Sequence, residues 1–221
     1  MPIETHTIEE QAHALRTASA ARLPADVLSA FSAEEAALDA GGVPHNVLAV
    51  GAAMPDGDLL DVHGASTSLT RLRAGRPAAV VFYRGAWCPY CNLTLRTYQA
   101  ELVPALRERG VELIALSPQK PDGSLTSAES NELTFTVASD PGNQIASALG
   151  ILMEPSADSV VAQAKLGLDL AEVNADGRRT LPMPTVVVVD TSGIIEWIDV
   201  HPNYTDRSEV ADILAAVNKM V

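Results

Sequence analysis

Cysteine is nearly absent: 221 residues hold two. That excludes a disulfide-stapled scaffold, which needs several bridges to make up for a small core. It also excludes a four-thiolate zinc site, and the five histidines (His6, His13, His45, His63 and His201) form no ligand-spaced cluster, so no bound metal is expected. Basic residues are scarce too. Fifteen Lys and Arg stand against 28 Asp and Glu, a net charge of −13, and a field of that sign repels nucleic acid and anionic membrane surfaces. No apolar run approaches the length that spans a bilayer. The first six residues, Met1 to His6, have neither the basic start nor the apolar stretch of a secretory leader, which gives the expectation of a cytoplasmic protein. Internal repeats and low-complexity tracts are missing as well. What remains is a chain 47% hydrophobic, long enough to bury a full core as one domain with an extension.

Both cysteines lie in Trp87-Cys88-Pro89-Tyr90-Cys91, directly after the apolar run Ala78-Ala79-Val80-Val81-Phe82-Tyr83. The residues after them, 92–109, carry a helical pattern, with Pro104 set to kink it. A strand that delivers Cys-x-x-Cys to a helix start suits thiol redox chemistry. The free N–H groups there stabilise a thiolate, and two sulfurs one turn apart can form a disulfide without distorting the chain. Half a zinc site would need a second ligand pair that the sequence lacks. A purely structural disulfide over so short a loop would constrain the unfolded chain little. A domain that binds through this turn without reacting remains an alternative.

The order of elements is informative. Thr7-Ile8-Glu9-Glu10 is a capping box that opens an Ala-rich helix running toward Arg22. Leu23-Pro24 interrupts it, and a second helix follows, re-capped or bent at Ser32-Ala33-Glu34-Glu35 and stopped at Gly41-Gly42. We assign 1–46 to a helical extension and 47–221 to the main domain. The helical pair could pack simply on that domain, meet a second copy in a homodimer, or cover the active site; its residues argue for none of these. Then come a short hairpin over 58–69, the strand 78–83, the helix, and a strand at 111–116. A short helix capped by Thr126-Ser127-Ala128-Glu129, a strand at 135–138, a helix at 143–149 and a less regular stretch at 151–179 follow. Thr185-Val186-Val187-Val188-Val189-Asp190, the turn Thr191-Ser192-Gly193 and residues 194–200 make an antiparallel hairpin, with Gly193 suited to a left-handed turn position. A helix over 208–219 ends the chain. Strand–helix–strand and then hairpin–helix resembles the thioredoxin topology.

Phe82-Tyr83-Arg84-Gly85-Ala86-Trp87-Cys88-Pro89-Tyr90-Cys91-Asn92-Leu93 resembles the active-site segment of the peroxiredoxin-like proteins of the alkyl hydroperoxide reductase/thiol-specific antioxidant superfamily. Val50-Gly51 to Pro55, Ser117-Pro118-Gln119-Lys120-Pro121-Asp122, Phe135-Thr136-Val137-Ala138-Ser139-Asp140 and Pro202-Asn203-Tyr204-Thr205-Asp206-Arg207 extend the likeness over about 50–221. It implies an α/β, thioredoxin-like fold of the peroxiredoxin type: a central mixed sheet flanked by helices, here with an N-terminal helical extension. In thioredoxin-like folds a cis proline before the late hairpin faces the cysteine pair, and Pro184 occupies that place, with Pro182 a rival.

The resemblance admits two registers. In the peroxiredoxin register Cys91 attacks peroxide, Cys88 stands where a threonine or serine is usual, and Arg84 replaces a proline. The arginine usual before the late strand is replaced by Met183-Pro184. Arg84 then becomes the first candidate for stabilising charge, with Arg178, Arg179 and Arg207 as others, and Trp87 and Tyr90 would rim a substrate site. In the thioredoxin register Cys88 attacks and Cys91 resolves. The first register implies a thiol-dependent peroxidase whose substrate is hydrogen peroxide or an organic hydroperoxide and whose reductant is thioredoxin or a low-molecular-weight thiol. The second implies disulfide exchange, and a third possibility is a non-peroxidatic protein. None needs an organic cofactor, because the redox equivalents reside in the two sulfurs.

Overall fold

The computed structural model describes residues 7–220; the terminal hexapeptide read above for a leader lies outside the described residues. The chain opens with α1 (Ile8–Ala20) and α2 (Ala25–Gly41). Thr7 caps α1 in a reciprocal capping box with Glu10, as its sequence requires. β1 (Asp58–Asp61) and β2 (Ser66–Ser68) form the early hairpin, followed by α3 (Leu69–Arg73), β3 (Ala78–Phe82) and α4 (Pro89–Thr97). Next come α5 (Val103–Glu108), β4 (Glu112–Ser117), α6 (Pro121–Ser130), β5 (Thr136–Ser139) and α7 (Gln144–Leu149). The last part holds β6 (Leu152–Met153), α8 (Ala157–Lys165), α9 (Leu170–Val173), β7 (Leu181–Pro182), β8 (Thr185–Val189), β9 (Ile195–Val200) and α10 (Val210–Met220).

Seven strands form one mixed sheet in the order β2-β1-β5-β4-β3-β8-β9. β3 runs parallel to β4 and antiparallel to β8, which places it near the centre. All five residues of β3 and all five of β8 are buried, as expected for strands covered on both faces. Alternation sorts their side chains. Ala79, Val81 and Tyr83 face the layer of α4 and α10, with Leu95, Ile213 and Val217. Ala78, Val80 and Phe82 face Ile145 and Leu149 of α7 and Ile195. Both cysteines belong to the first layer, on the Tyr83 side of the sheet. Ile8 of α1 is buried there too, a contact worth about 1.5–3 kcal/mol. Thus α1 packs on α4, while α2 packs on α8.

Several elements differ from the sequence expectation. The helix after the cysteines begins at Pro89 and is divided by a π-helical turn, Tyr98–Leu102, before α5. Pro104 has no N–H to give the carbonyl four residues earlier, and a wider turn, with Val103 N–H reaching Tyr98 O, absorbs the defect. α2 runs through Ser32–Glu35 without a break, because the two acids serve other partners: Glu34 Oε1 accepts from Ser156 N–H at 2.6 Å and Glu35 pairs with Arg16. Thr126 sits within α6 rather than at its cap, its hydroxyl donating to Asp122 O at 2.9 Å. The stretch expected to be irregular holds α8, capped by Ser156, and α9. Gly193 has φ 85°, as its turn demands. No helix among the described residues is long and apolar enough to cross a membrane.

Candidate active site

Cys88 is the N-cap of α4, Pro89 supplies its first helical residue, and Cys91 follows within the first turn. Proline suits that place, where an N–H would have no helical acceptor. The loop between β3 and α4 is tied from several sides. Gln119 Oε1 accepts from Ala86 N–H at 2.9 Å while its Nε2 donates to Tyr83 Oη at 3.0 Å, and Asn92 Nδ2 donates to Ala86 O at 2.7 Å. Gly85 takes φ 152°, and a Cβ there would stand 2.5 Å from Trp87 Nε1. Only glycine lets the indole lie so close to the backbone.

Both cysteines are free thiols, each 1% exposed, but their surroundings differ. Arg207, in the loop before α10, donates from Nη2 to Cys91 Sγ at 3.3 Å. Its Nη1 bonds the carbonyls of Tyr204 and Asp206, and Tyr98 Oη donates to the adjacent Ser208 O at 2.6 Å, so the loop is held. Burial opposes the Cys91 thiolate, yet the Cys88 S–H donating to it, the Arg207 guanidinium and the Arg84 backbone N–H together bring it well below the ordinary cysteine range. Burial and the neighbouring Cys91 push Cys88 the other way. These surroundings favour the thiolate on Cys91 and the thiol on Cys88.

The two sulfurs also open onto different spaces. Cys91 lines a void of about 10 Å³ with Tyr83, Thr94, Pro184 and Arg207. Cys88 lines a cavity of about 530 Å³ bounded by α1, α2, the end of α8, Trp87, Tyr90 and Tyr204. Helices α1 and α2 are thus walls of the candidate site.

Each residue singled out in the sequence can now be located. Cys88, Cys91, Arg84, Trp87, Tyr90 and Pro184 are all brought together. Pro184 lies beside Cys91, but no cis peptide bond occurs among the described residues, a correction to the thioredoxin-based expectation. Met183 N–H is taken by Ile151 O at 2.7 Å and Pro184 O accepts from His201 N–H at 2.9 Å, which ties the backbone on both sides of that bond. The Arg84 guanidinium does not touch Cys91. It packs between aromatic rings, 4.0 Å from the Tyr204 centroid and 4.9 Å from that of Trp87. Arg178 and Arg179 stay outside the site, paired with Asp176 and Asp169. Arg207 was one candidate among four, and Pro202 to Arg207 carried its signal. Gln119 and Tyr204 carry no site signal of their own in the sequence, and the cover by α1 and α2 was one of three open alternatives for the helical pair, because sequence spacing carries no sign of which distant segment covers a loop.

Chemically, the site offers a thiolate under a guanidinium, a second thiol one turn away, and a cavity on the second sulfur's side.

Comparison with known proteins agrees. The model of the AhpC/TSA family matches residues 50–198. The thiol-disulfide oxidoreductase ResA of Geobacillus thermodenitrificans is 33% identical over 105 residues, 47% of this chain and 59% of that protein. The chloroplastic peroxiredoxin Q of Populus jackii is 26% identical over 148 residues, 67% of this chain and 58% of that protein. The chain therefore spans somewhat under two thirds of the length of the curated relatives it matches. Among solved structures, reduced Prx3 of Vibrio vulnificus in complex with H2O2 superposes with a TM-score of 0.62 at 19% identity, covering 77% of this chain and 99% of that one. Peroxidoxin BcpB of Mycobacterium tuberculosis gives 0.59 at 16% identity, covering 78% and 97%. With its peroxiredoxin-like thioredoxin fold and the family model matched across most of its length, the chain belongs to the AhpC/TSA family.

Proposed function

We propose that the protein is an oxidoreductase, a thiol-dependent peroxidase that reduces hydrogen peroxide or organic hydroperoxides through a dithiol–disulfide cycle of Cys91 and Cys88. The observation that carries this reading is the 3.3 Å contact between Arg207 Nη2 and Cys91 Sγ. The guanidinium holds the attacking thiolate and stands where it can stabilise the oxygen that leaves. The Cys91 thiolate attacks one peroxide oxygen, the O–O bond breaks, and the departing alkoxide or hydroxide takes up a proton. Cys88 then attacks the resulting sulfenic acid, water leaves, and the Cys88–Cys91 disulfide forms. Two electrons from thioredoxin or a low-molecular-weight thiol restore the dithiol. Residues 1–46 serve in this reading as an extension that walls the site of the 47–221 domain. A cytoplasmic location belongs with it, since the cycle needs a reducing compartment.

Stopped-flow mixing of the reduced protein with hydrogen peroxide and with an organic hydroperoxide tests the proposal. Oxidation far faster than that of free cysteine supports it, and a rate no better than free cysteine defeats it. A second reading, disulfide exchange led by Cys88, is favoured by a separate observation. Cys88 lines the 530 Å³ cavity, whereas the void at Cys91 has about 10 Å³, the size of about one water. A slow peroxide reaction combined with rapid reduction of a disulfide substrate would select that reading.

A further inference from the structure

Arg84 is the odd charge of this molecule. It is 4% exposed, lies between two aromatic rings, and its side chain makes no hydrogen bond or carboxylate ion pair with any described residue. Its Nε and the neighbouring Trp87 Nε1 are buried donors without partners among the described residues. Burying a guanidinium without a hydrogen-bonding anion is costly. None of the nearby anions pairs with it: Glu35 holds Arg16, Glu34 accepts from Ser156 N–H through Oε1, keeps Oε2 unpartnered and makes no ion pair with Arg84, and the Cys91 sulfur has Arg207.

Arg84 also lines the large cavity, together with Cys88. At about 530 Å³ the cavity is in the range of small-molecule sites. Its other walls are mainly apolar, with Leu23, Leu28 and Phe31 beside Trp87 and Tyr90; the remaining charged side chains that line it are Arg22 and the Arg16–Glu35 ion pair. A protein reductant would have to bring its cysteine against a sulfur that is 1% exposed beneath α1 and α2, whereas a specific protein interface needs a broad accessible face. A small molecule fits this concave space without moving the helices.

We propose that this cavity binds the reductant of the cycle, a low-molecular-weight thiol with an aliphatic body and a carboxylate, with the carboxylate on Arg84 and the sulfur against Cys88. The proposal rests on the dithiol–disulfide cycle above, in which Cys88 is the half of the disulfide that faces the cavity. The incoming thiolate attacks Cys88 Sγ, the S–S bond breaks, and Cys91 leaves as the thiolate held by Arg207. A second thiol, from the same molecule or another, displaces Cys88 from the mixed disulfide. The reductant departs as a disulfide, and the two protons released by its thiols leave Cys88 protonated, with Cys91 free to take the other. A low-pKa leaving sulfur favours attack in this direction.

The test starts from the full-length protein oxidised to the Cys88–Cys91 disulfide with diamide, so it does not depend on peroxidase activity. Its reduction is followed by tryptophan fluorescence with dihydrolipoate and with the neutral dihydrolipoamide. The two dithiols share their aliphatic body and differ in the carboxylate. A net charge of −13 would by itself favour the neutral reagent. The expected result is saturable reduction, with dihydrolipoate about tenfold faster, a preference lost in Arg84→Gln and partly restored in Arg84→Lys. The ratio of the two rates is compared within each variant, so a general change in cysteine reactivity cancels. On the unmodified sequence, octanoate should inhibit dihydrolipoate competitively and octanamide should not, which keeps the test decisive even if the Arg84 variants fold poorly. Equal rates for acid and amide, no inhibition by octanoate, or fast reduction by thioredoxin with slow reduction by both small dithiols would overturn the proposal. If the preference holds while peroxide fails to oxidise the protein, the peroxidase reading falls and the cavity assignment stands.

Discussion

Arg207 donates from Nη2 to Cys91 Sγ across 3.3 Å, although 116 residues separate them in sequence. The contact joins the loop before α10 to the first turn of α4 and, with the Cys88 hydrogen bond, favours the thiolate on Cys91.

Arg207→Gln should therefore raise the Cys91 pKa and slow peroxide attack at pH 7 by about a hundredfold, the usual loss for a stabilising donor at a developing anion. In the unmodified protein the rate should stay flat with pH through the region near 8.5 where free thiols titrate, and in the variant the midpoint should move upward. Stability follows the same sign. A folded-state value below the unfolded one adds stability that is complete above the unfolded value and is lost as pH falls through the folded one. Unaltered pH–rate profiles in Arg207→Gln would refute the assignment.

The register of the cysteines can be read by trapping. Cys88→Ser should react with one equivalent of peroxide and accumulate a sulfenic acid on Cys91 that dimedone labels, whereas Cys91→Ser should consume no peroxide. Under disulfide exchange led by Cys88, Cys91→Ser would instead trap mixed disulfides on Cys88. Mass spectrometry of the labelled peptides distinguishes the outcomes, and label on Cys88 in Cys91→Ser reverses the assignment.

Gly85→Ala places a methyl 2.5 Å from Trp87 Nε1 and 3.0 Å from Gln119 Oε1, on a backbone with φ 152°. We expect a loss of about 1–3 kcal/mol in urea unfolding and a shift in tryptophan emission as the indole is displaced. Full stability with an unchanged spectrum would mean that the loop adapts.

Asp140 caps α7, accepting from the backbone N–H of Gln144, Ile145 and Ala146 at 2.8, 3.0 and 3.3 Å. Burial pushes its carboxyl up to about 6 against these donors. A raised acid gives stability that is fully present below its unfolded value near 3.9 and lost as pH rises through about 6. Asp140→Asn should remove this slope, so that the difference in unfolding free energy between the two proteins changes by about 2–3 kcal/mol from pH 4 to 7. Parallel curves for the two proteins would contradict the shift.

The local pieces were legible in the sequence because local chemistry specifies them. The capping box at Thr7, the apolar runs of β3 and β8 and the glycine at 193 each dictate their own backbone. The course of 151–179 was less legible, since α8 is short and amphipathic and its Ser156 cap interacts with Glu34, 122 residues away in sequence. Pro184 was read by analogy as cis, and the backbone bonds on either side of it, made to Ile151 and His201, cannot be inferred from its neighbours in sequence.

The sequence by itself determined that two sulfurs meet at a helix start after a central strand, because an apolar run, a following helical pattern and a three-residue spacing are all local. Only the tertiary structure decided how the two sulfurs differ. Arg207 arrives at Cys91 through a loop tied by Tyr98 and Ser208, while α1, α2 and α8 enclose a cavity over Cys88. Charge and access depend on which distant segments pack against a turn, and that follows from burying the apolar faces of sheet and helices together rather than from any single stretch of chain.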